Sequence, residues 1–436
     1  MNLLYVNDRR GQYPRSLYAE TRLPLEPFPA LKGETRADVA VVGGGYAGLS
    51  AALHLARRGY RVALLEAHRV GFGASGRNGG QVGSGQRQEV DWLEARLGRD
   101  DARRLWDLAE EAKALVRALA AEAGVPVRDG IAHACRSKAE IDHARHMADH
   151  LAGHYGYDRI RPLDGQALAG LIGSDAYMGG DLDRGAAHLH PLDLAIGMAR
   201  LARDAGAHIF ENSHVHRITH ARKAGETSVV HCDTGRVICD HVILAGNGYL
   251  GDLDRHVAAR VMPINNYIVA TEPLGTDFPE ILPEHTAVAD TKFVVNYWRM
   301  DDERRLIFGG GETVTYRFPK DIAATVRPHL LSVYPQLKDV RLTHAWGGTL
   351  AITMNRMPCF ARPAPNCLSA SGFSGHGVAL ATLAGRLMAA AVAGQAEGFD
   401  AMAALPSRAF PGGTLLRSPM LVAGMAWFGL RDRLGF

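Results

Sequence analysis

Apolar and polar positions fall into a clear order from residue 38 onward. Asp38 to Val42 is a short apolar run of the kind shown by a strand covered on both faces. Gly43 to Gly48 follows as a turn, and Leu49 to Arg58, rich in Ala and Leu, predicts a helix that Gly59 stops. Arg61 to Glu66 predicts a second strand. Strand, turn, helix and strand within about thirty residues form a parallel unit with a crossover helix. Helical spacing returns over 89–123, through Trp92, Leu93, Leu97, Leu105, Leu108, Ala112 and Leu115, and again over 139–153 and 192–205. Strand-like pieces follow at 207–211, 215–218, 227–232 and 242–245, then at 266–270, 293–299 and 305–308. Gly377 to Ala393 predicts a long helix entered through a glycine-rich turn. The first 37 residues, rich in Pro and polar groups, are expected to drape over the surface. There is no internal repeat and no low-complexity segment.

Length narrows the architecture. A chain of 436 residues accommodates two domains or one elaborated domain. With 47% hydrophobic and 22% charged residues it has the composition of a folded globular protein. A formal charge of +3 with no dense basic run gives no reason to expect nucleic acid as a partner. The five cysteines, Cys135, Cys232, Cys239, Cys359 and Cys367, include no C-x-x-C pair. A disulfide framework and a structural zinc site are both poorly supported, and a reducing cytoplasm is the expected location. No signal peptide is expected at the start. The most apolar run, Ser418 to Leu430, is short of the roughly 20 residues a membrane span needs. It suggests a groove cover, a subunit contact or a weak membrane contact.

The strongest chemical signal is Gly43-Gly44-Gly45-Tyr46-Ala47-Gly48, a G-x-G-x-x-G between a strand and a helix, with Glu66 and Ala67 closing the next strand. Gly43 suits the tight turn, Gly45 the approach of backbone to a pyrophosphate, and Gly48 close helix–strand packing. The helix start offers free N–H groups to phosphates. Glu66 can accept hydrogen bonds from ribose hydroxyls and disfavours a 2′-phosphate. This loop alone does not separate FAD from NAD.

A second glycine-rich stretch, Gly71 to Ser84, discriminates between them. An NAD dehydrogenase would continue into another helix–strand repeat, whereas a flavoprotein needs extended chain tracking the pyrophosphate toward the isoalloxazine. In that reading Ser75 and Arg77 suit phosphate oxygens and Asn78 and Gln81 suit ring polar atoms, with Ala74 and Gly79 also expected to bind the cofactor. A surface loop is the alternative. A third piece, Gly372-Phe373-Ser374-Gly375-His376-Gly377 with Val378, opens the long helix, where free N–H groups would face the anion of a reduced flavin. The strand and turn ending at Gly246 would approach from below.

With these residues the chain resembles the D-amino-acid-oxidase-type FAD-dependent oxidoreductases, the family of sarcosine and glycine oxidases. Within that family it is similar to the γ-glutamylputrescine oxidases. The resemblance is carried by Gly71 to Gln81, Gly185 to Pro191, Arg305 to Gly311, and the tail from Phe410 to Phe436. It implies an α/β fold. A Rossmann-like, glutathione-reductase-type FAD domain (1–90, 186–252, 350–395) would interleave with an α+β substrate domain (91–185, 253–349) built on a mostly antiparallel sheet, before an extension at 396–436. It also implies that the backbone of Val215 contacts adenine.

The departures from the family pattern are specific. Where sarcosine oxidases attach FAD to a cysteine, the stretch here is Trp346-Gly347-Gly348-Thr349, which implies non-covalent FAD. The lysine those enzymes hold over the flavin falls at about Ile307. The basic pair that grips an amino-acid carboxylate falls near Val82 and Ala379. Tyr297, Trp298 and Trp346 could form an aromatic cage for an amine or serve as core. His376 could touch flavin or substrate or bond to backbone. His188 and His190 read as a structural turn before Pro191, and no metal is expected.

The resemblance implies an FAD-dependent amine oxidase acting on CH–NH or CH–NH2 donors. Hydride transfer to flavin N5 would convert γ-glutamylputrescine or a similar amine, with O2, to aldehyde, ammonia and H2O2, as in putrescine and polyamine catabolism. The alternative is an FAD-dependent dehydrogenase or oxidase of a secondary amine or amino acid, sarcosine-, glycine- or pipecolate-like, using another electron acceptor.

Overall fold

The computed structural model describes residues 2–413, apart from positions 224 and 314. The apolar segment 418–430 and the rest of the tail from 414 lie outside the described residues. Two sheets organise the molecule, one of eight strands and one of nine. In the first, Gly33–Val42 lies at the centre, flanked in parallel by Val62–Leu65 and Gly235–Leu244. His208–Phe210 extends one side and Cys367–Ser371 the other, both parallel, and Cys359–Ala364 closes that edge antiparallel.

The apolar run at 38–42 behaves as its pattern requires. Val39 and Val41 enter one core with the helices, while Ala40 and Val42 enter another on the opposite face. Helices Tyr46–Ala56, Arg99–Ala123, Pro191–Asp204 and Gly377–Val392 share the first core. Gly385 allows two of them to cross closely, since a Cβ there would press into the backbone of Ala47.

The helical stretch at 89–123 is broken. Val90–Leu97 ends at Gly98, whose φ of +82° starts a new helix at Arg99. Arg99–Ala123 packs with the helices of the first sheet, whereas the sequence-based division placed 91–185 with the second unit. The N-terminal residues also do more than drape. Leu17, Tyr18 and Leu31 are fully buried, and Leu17 and Tyr18 sit in a core with Leu192, Ile268, Ile307 and Trp346.

The second sheet runs Leu342–Ile352, Met262–Thr271, Leu306–Thr313, Tyr297–Met300, Ala287–Asp290, Val127–Cys135, Gly179–Leu189 and Gln81–Val82. Ile160–Asp164 also pairs with Gly179–Leu189. It is antiparallel except where Ala287–Asp290 runs beside Val127–Cys135. Its outer face packs Trp298, Phe308, Tyr334 and Val326 into a separate core. Its inner face looks toward the glycine-rich segments of the first unit. No helix among the described residues is long and apolar enough to cross a membrane.

Candidate active site

The glycine turn has the geometry a pyrophosphate needs. Gly43 has a φ of +110°, and a Cβ there would lie 2.8 Å from the carbonyl oxygen of Ala245. A Cβ on Gly45 would lie 2.8 Å from the Ser75 hydroxyl, and one on Gly48 would collide with the Gly43 carbonyl. Gly45 caps the helix Tyr46–Ala56 without a side-chain acceptor. Tyr46 N–H donates to Ser75 Oγ at 3.0 Å, which leaves the next amides of the first turn free for an anion.

Glu66 closes the neighbouring strand. Its carboxylate accepts from Gly44 N–H at 2.7 Å and from His68 N–H at 2.8 Å, across Ala67. Burial raises its pKa to about 7 despite those bonds. Ser213 N–H donates to the Glu66 carbonyl, bringing the start of the strand Val215–Thr219 alongside. Glu66 and Val215 thus share one end of the first sheet, on the side of the glycine turn.

In the second stretch, Ala74–Gly76 forms a short 3-10 turn. The side chains after it brace the loop. Asn78 donates to the carbonyls of Ala74 and Ser75 and accepts from Gly80 N–H. Gln81 donates to Val288 O. Arg77 is buried, donates to Phe72 O and Gly347 O, and pairs with Asp8 at 3.1 Å. Its Nη2 is buried without a partner, the one atom of that side chain left for a ligand oxygen. Side-chain contacts expected toward a cofactor are therefore largely spent on shaping the loop, and its backbone is what remains. Gly79 lies against the ring of Tyr297, where a Cβ would come within 2.7 Å.

Gly246 and Asn247 turn after the strand Gly235–Leu244, and Asn247 Oδ1 accepts from Gly372 N–H at 2.8 Å. Gly372, Ser374 and Gly375 all have positive φ, and His376 caps the helix Gly377–Val392 with no side-chain bond. The first amides of that helix, at Gly377 and Val378, are unfilled donors. His376 is half-buried beside Gly83, and burial, then Arg87 and His133, push its pKa down to about 3, so the imidazole is neutral.

The aromatic trio separates. Tyr297 and Trp298 are consecutive in one strand, so their side chains leave opposite faces of the sheet. Tyr297 faces inward with Trp346, Ile307 and Tyr18, and donates to Asn266 Oδ1. Trp346 donates to Arg77 O. Trp298 is in the outer core, stacked 5.4 Å from Phe308, and donates to Tyr334 OH at 2.9 Å. A three-ring cage is not assembled, and Trp298 is a core residue. His188 Nε2 donates to His285 O, and His190 caps the helix Pro191–Asp204. Both fit the structural turn.

Residues that spacing did not reveal line the same side. Gly309 to Gly311 carry a bulge: Asn266 opposes Glu312 and Ile268 opposes Gly309, so one residue faces two. Gly311 has a φ of +76°. Ile307 faces inward and Phe308 outward, and regular alternation would send position 312 outward with Phe308. The bulge returns Glu312 to the inward face, opposite Asn266. Burial raises the Glu312 pKa to about 7, against the pull of Arg356 and Arg87. Arg87 donates from Nε to Ser374 O at 2.9 Å. His133, on the strand Val127–Cys135, pairs with Asp181 at 2.7 Å. Burial opposes its protonation, but the carboxylate prevails and raises its pKa to about 9. The glycine triplet at 309–311 was the only sequence signal for this group.

These parts fit a flavin dinucleotide: a glycine cradle that no Cβ could enter, unfilled amides at two helix starts, a carboxylate by the ribose position, and an unpartnered guanidinium nitrogen. Residues 38–391 match the DAO family, described as FAD dependent oxidoreductase. The chain is 41% identical to the probable oxidoreductase OrdL of Rhizobium meliloti, over 96% of this chain and 98% of that one. It is 39% identical to gamma-glutamylputrescine oxidoreductase of Escherichia coli, over 97% and 99%. Glycine oxidase from Geobacillus kaustophilus superposes with a TM-score of 0.69 at 22% identity, over 83% of this chain and 95% of that chain. These matches, with the cradle, establish that the chain belongs to the DAO family of FAD-dependent oxidoreductases.

Proposed function

We propose that this oxidoreductase removes hydrogen from the carbon beside a primary amine. The observation that carries the reading is the character of positions 82 and 379. Val82 and Ala379 are 0% and 4% exposed, apolar and packed into the first core. Those positions are where the resemblance would place cations for an α-carboxylate, so an amino-acid head next to the reacting carbon finds no partner there. A methylene-bearing amine does, and the name of the Escherichia coli relative points to γ-glutamylputrescine. The net change is amine plus O2 plus water giving aldehyde, ammonia and H2O2.

When bound, FAD supplies the two-electron acceptor. The chain supplies the rest. Tyr297 and Trp346 wall the inner face, and Tyr297 is fixed by its bond to Asn266. That rigidity orients the donor carbon. Burial holds the Tyr297 hydroxyl well above its ordinary pKa, so it acts as a neutral hydrogen-bonding group. The amine must lose its ammonium proton before it can release hydride, and the desolvated wall favours that neutral form.

All five cysteines are buried in strands, and none stands in the stretch Trp346 to Thr349, where the related enzymes attach FAD. This supports non-covalent FAD: acid precipitation should leave yellow colour in the supernatant, and colour kept in the pellet would refute it. The function itself is tested by anaerobic mixing. γ-Glutamylputrescine should bleach the flavin faster than glycine, sarcosine or proline, and the reverse order would overturn the reading. Buried, uncharged Ile307 at the lysine's place favours a second reading, in which electrons leave to an acceptor other than O2. Peroxide yield against dye reduction separates the two.

A further inference from the structure

The charged residues near His376 form an arrangement that the proposed chemistry at the reacting carbon does not use. Arg87 is tethered through Nε alone, and its terminal nitrogens have no hydrogen-bond partner among the described residues. Arg356 stands on a turn closed by Thr353, whose hydroxyl donates to Met357 O at 2.6 Å, and by Asn355, which accepts from Met357 N–H. Its guanidinium lies 5.6 Å from the ring centre of Phe293. The adjacent residues link the two turns, because Gln88 Nε2 donates to Asn355 O at 2.9 Å. Glu312 reaches the same space only because of the bulge.

The three charges feel one another. Arg356 disfavours the charge of Arg87, and both arginines favour the charge of Glu312. Yet among the described residues none of the three makes an ion pair within 4.0 Å. All three are half-buried. If they served only to neutralise each other, guanidinium and carboxylate would be in contact, since partial burial makes separation costly. Two cations and one anion that feel one another yet stay out of contact are instead complementary to a zwitterion.

We infer that Arg87, Arg356 and Glu312 form a subsite for the far end of the amine substrate, taking an α-amino acid group whose carboxylate meets the two guanidiniums and whose ammonium meets Glu312. The inference rests on the amine reading and adds to it the residues that hold the amino acid head of such a substrate. The head is recognised away from the reacting carbon, by residues other than positions 82 and 379. Planar guanidiniums suit a carboxylate, and their tethers reduce the ordering cost of binding.

The test uses holoenzyme, anaerobic titration calorimetry and three probes that lack the terminal primary amine: N5-butylglutamine, N-butylglutaramic acid, which lacks the ammonium, and N-butylbutanamide, which lacks both charges. Wild type should bind N-butylbutanamide at least about tenfold more weakly than N-butylglutaramic acid, the scale of one charge-assisted bond. Arg356→Gln should shrink that ratio below about threefold, and Glu312→Gln should shrink the ratio between the first two probes. Flavin content reports whether each variant is folded, and Arg87→Gln carries the test if Arg356→Gln is not. Equal binding of all probes, or a variant that weakens all three by one factor, overturns the subsite. Flavin bleaching by γ-glutamylputrescine is scored separately. Its absence with charge-dependent probe binding intact would count against the amine reading and leave the subsite standing.

Discussion

The dinucleotide cradle and the sheet above it solve opposite problems. On the proposed reading the cradle would hold FAD mainly with backbone, so its glycines are close in sequence and fixed in spacing at 43, 45 and 48, with the Glu66 side chain as the exception. On the proposed reading the facing wall would act with side chains gathered from residues 133, 297, 312 and 346 of the second sheet and from 87 and 356 in turns beside it. Backbone recognition tolerates little change at a few positions. Side-chain recognition can be altered at many positions while the sheet persists. Binding of FAD and choice of amine should therefore fail independently, and the variants below test that separation.

The largest effect is expected in the cradle. Gly48→Val would drive a side chain into the Gly43 carbonyl, and the protein should lose flavin altogether or fail to fold. Normal flavin content by absorbance would contradict the backbone account.

Glu66→Ala comes next. The carboxylate would accept charge-assisted bonds from ribose, each worth about 1.5–3 kcal/mol, so FAD affinity should fall roughly tenfold or more per bond. Reconstitution of apoprotein measures it. Amine preference should not move; if it does, the two regions are coupled.

On the wall, pH sharpens the comparison. The rate of flavin reduction at saturating amine should rise with pH, up to about tenfold per unit, and level off at one pKa below the roughly 10 of a free amine. The neutral amine is the deprotonated form, so the sign is a gain on raising pH. Glu312, held protonated by burial until about pH 7, becomes the partner of an ammonium above it, so amine binding should tighten through the same region. A flat profile from about pH 6 to 9 would exclude the neutral-amine step.

The smallest effect separates neighbours. Trp298→Phe loses the bond to Tyr334 OH and should cost stability by about 1–3 kcal/mol, read as a lower Tm, with little change in flavin reduction. Tyr297→Phe should do the reverse, moving the amine rate or its pKa. Equal behaviour of the two would mean that the faces of the sheet are not distinct in function.

Much of the fold was legible in the sequence because it depends on local periodicity. The strand at 38–42, the helices at 191–204 and 377–392 and the glycine turns appear within a residue or a few of where the pattern places them. The family follows from the same segments. The wall was less legible. Tyr297 and Trp298 are adjacent in sequence and look like one aromatic feature, yet a strand sends them to different cores. Arg87, Arg356 and Glu312 are far apart in the chain, and nothing in their local sequence announces that they feel one another's charge. The burial of Leu17 and Tyr18 was hidden for a related reason, since a segment without periodicity can still fill a gap between two other elements.

The bulge at Gly309–Gly311 has a consequence for how such a wall can change over generations. Replacing a residue on a strand alters one contact. Removing a single glycine from the triplet would restore regular alternation and exchange the faces of the residues beyond it, withdrawing the carboxylate at 312 from the inward face in one step. Insertions and deletions of one residue, ordinarily the most damaging events within a sheet, would here act as a switch between substrate classes while leaving the cradle, and with it the flavin, untouched.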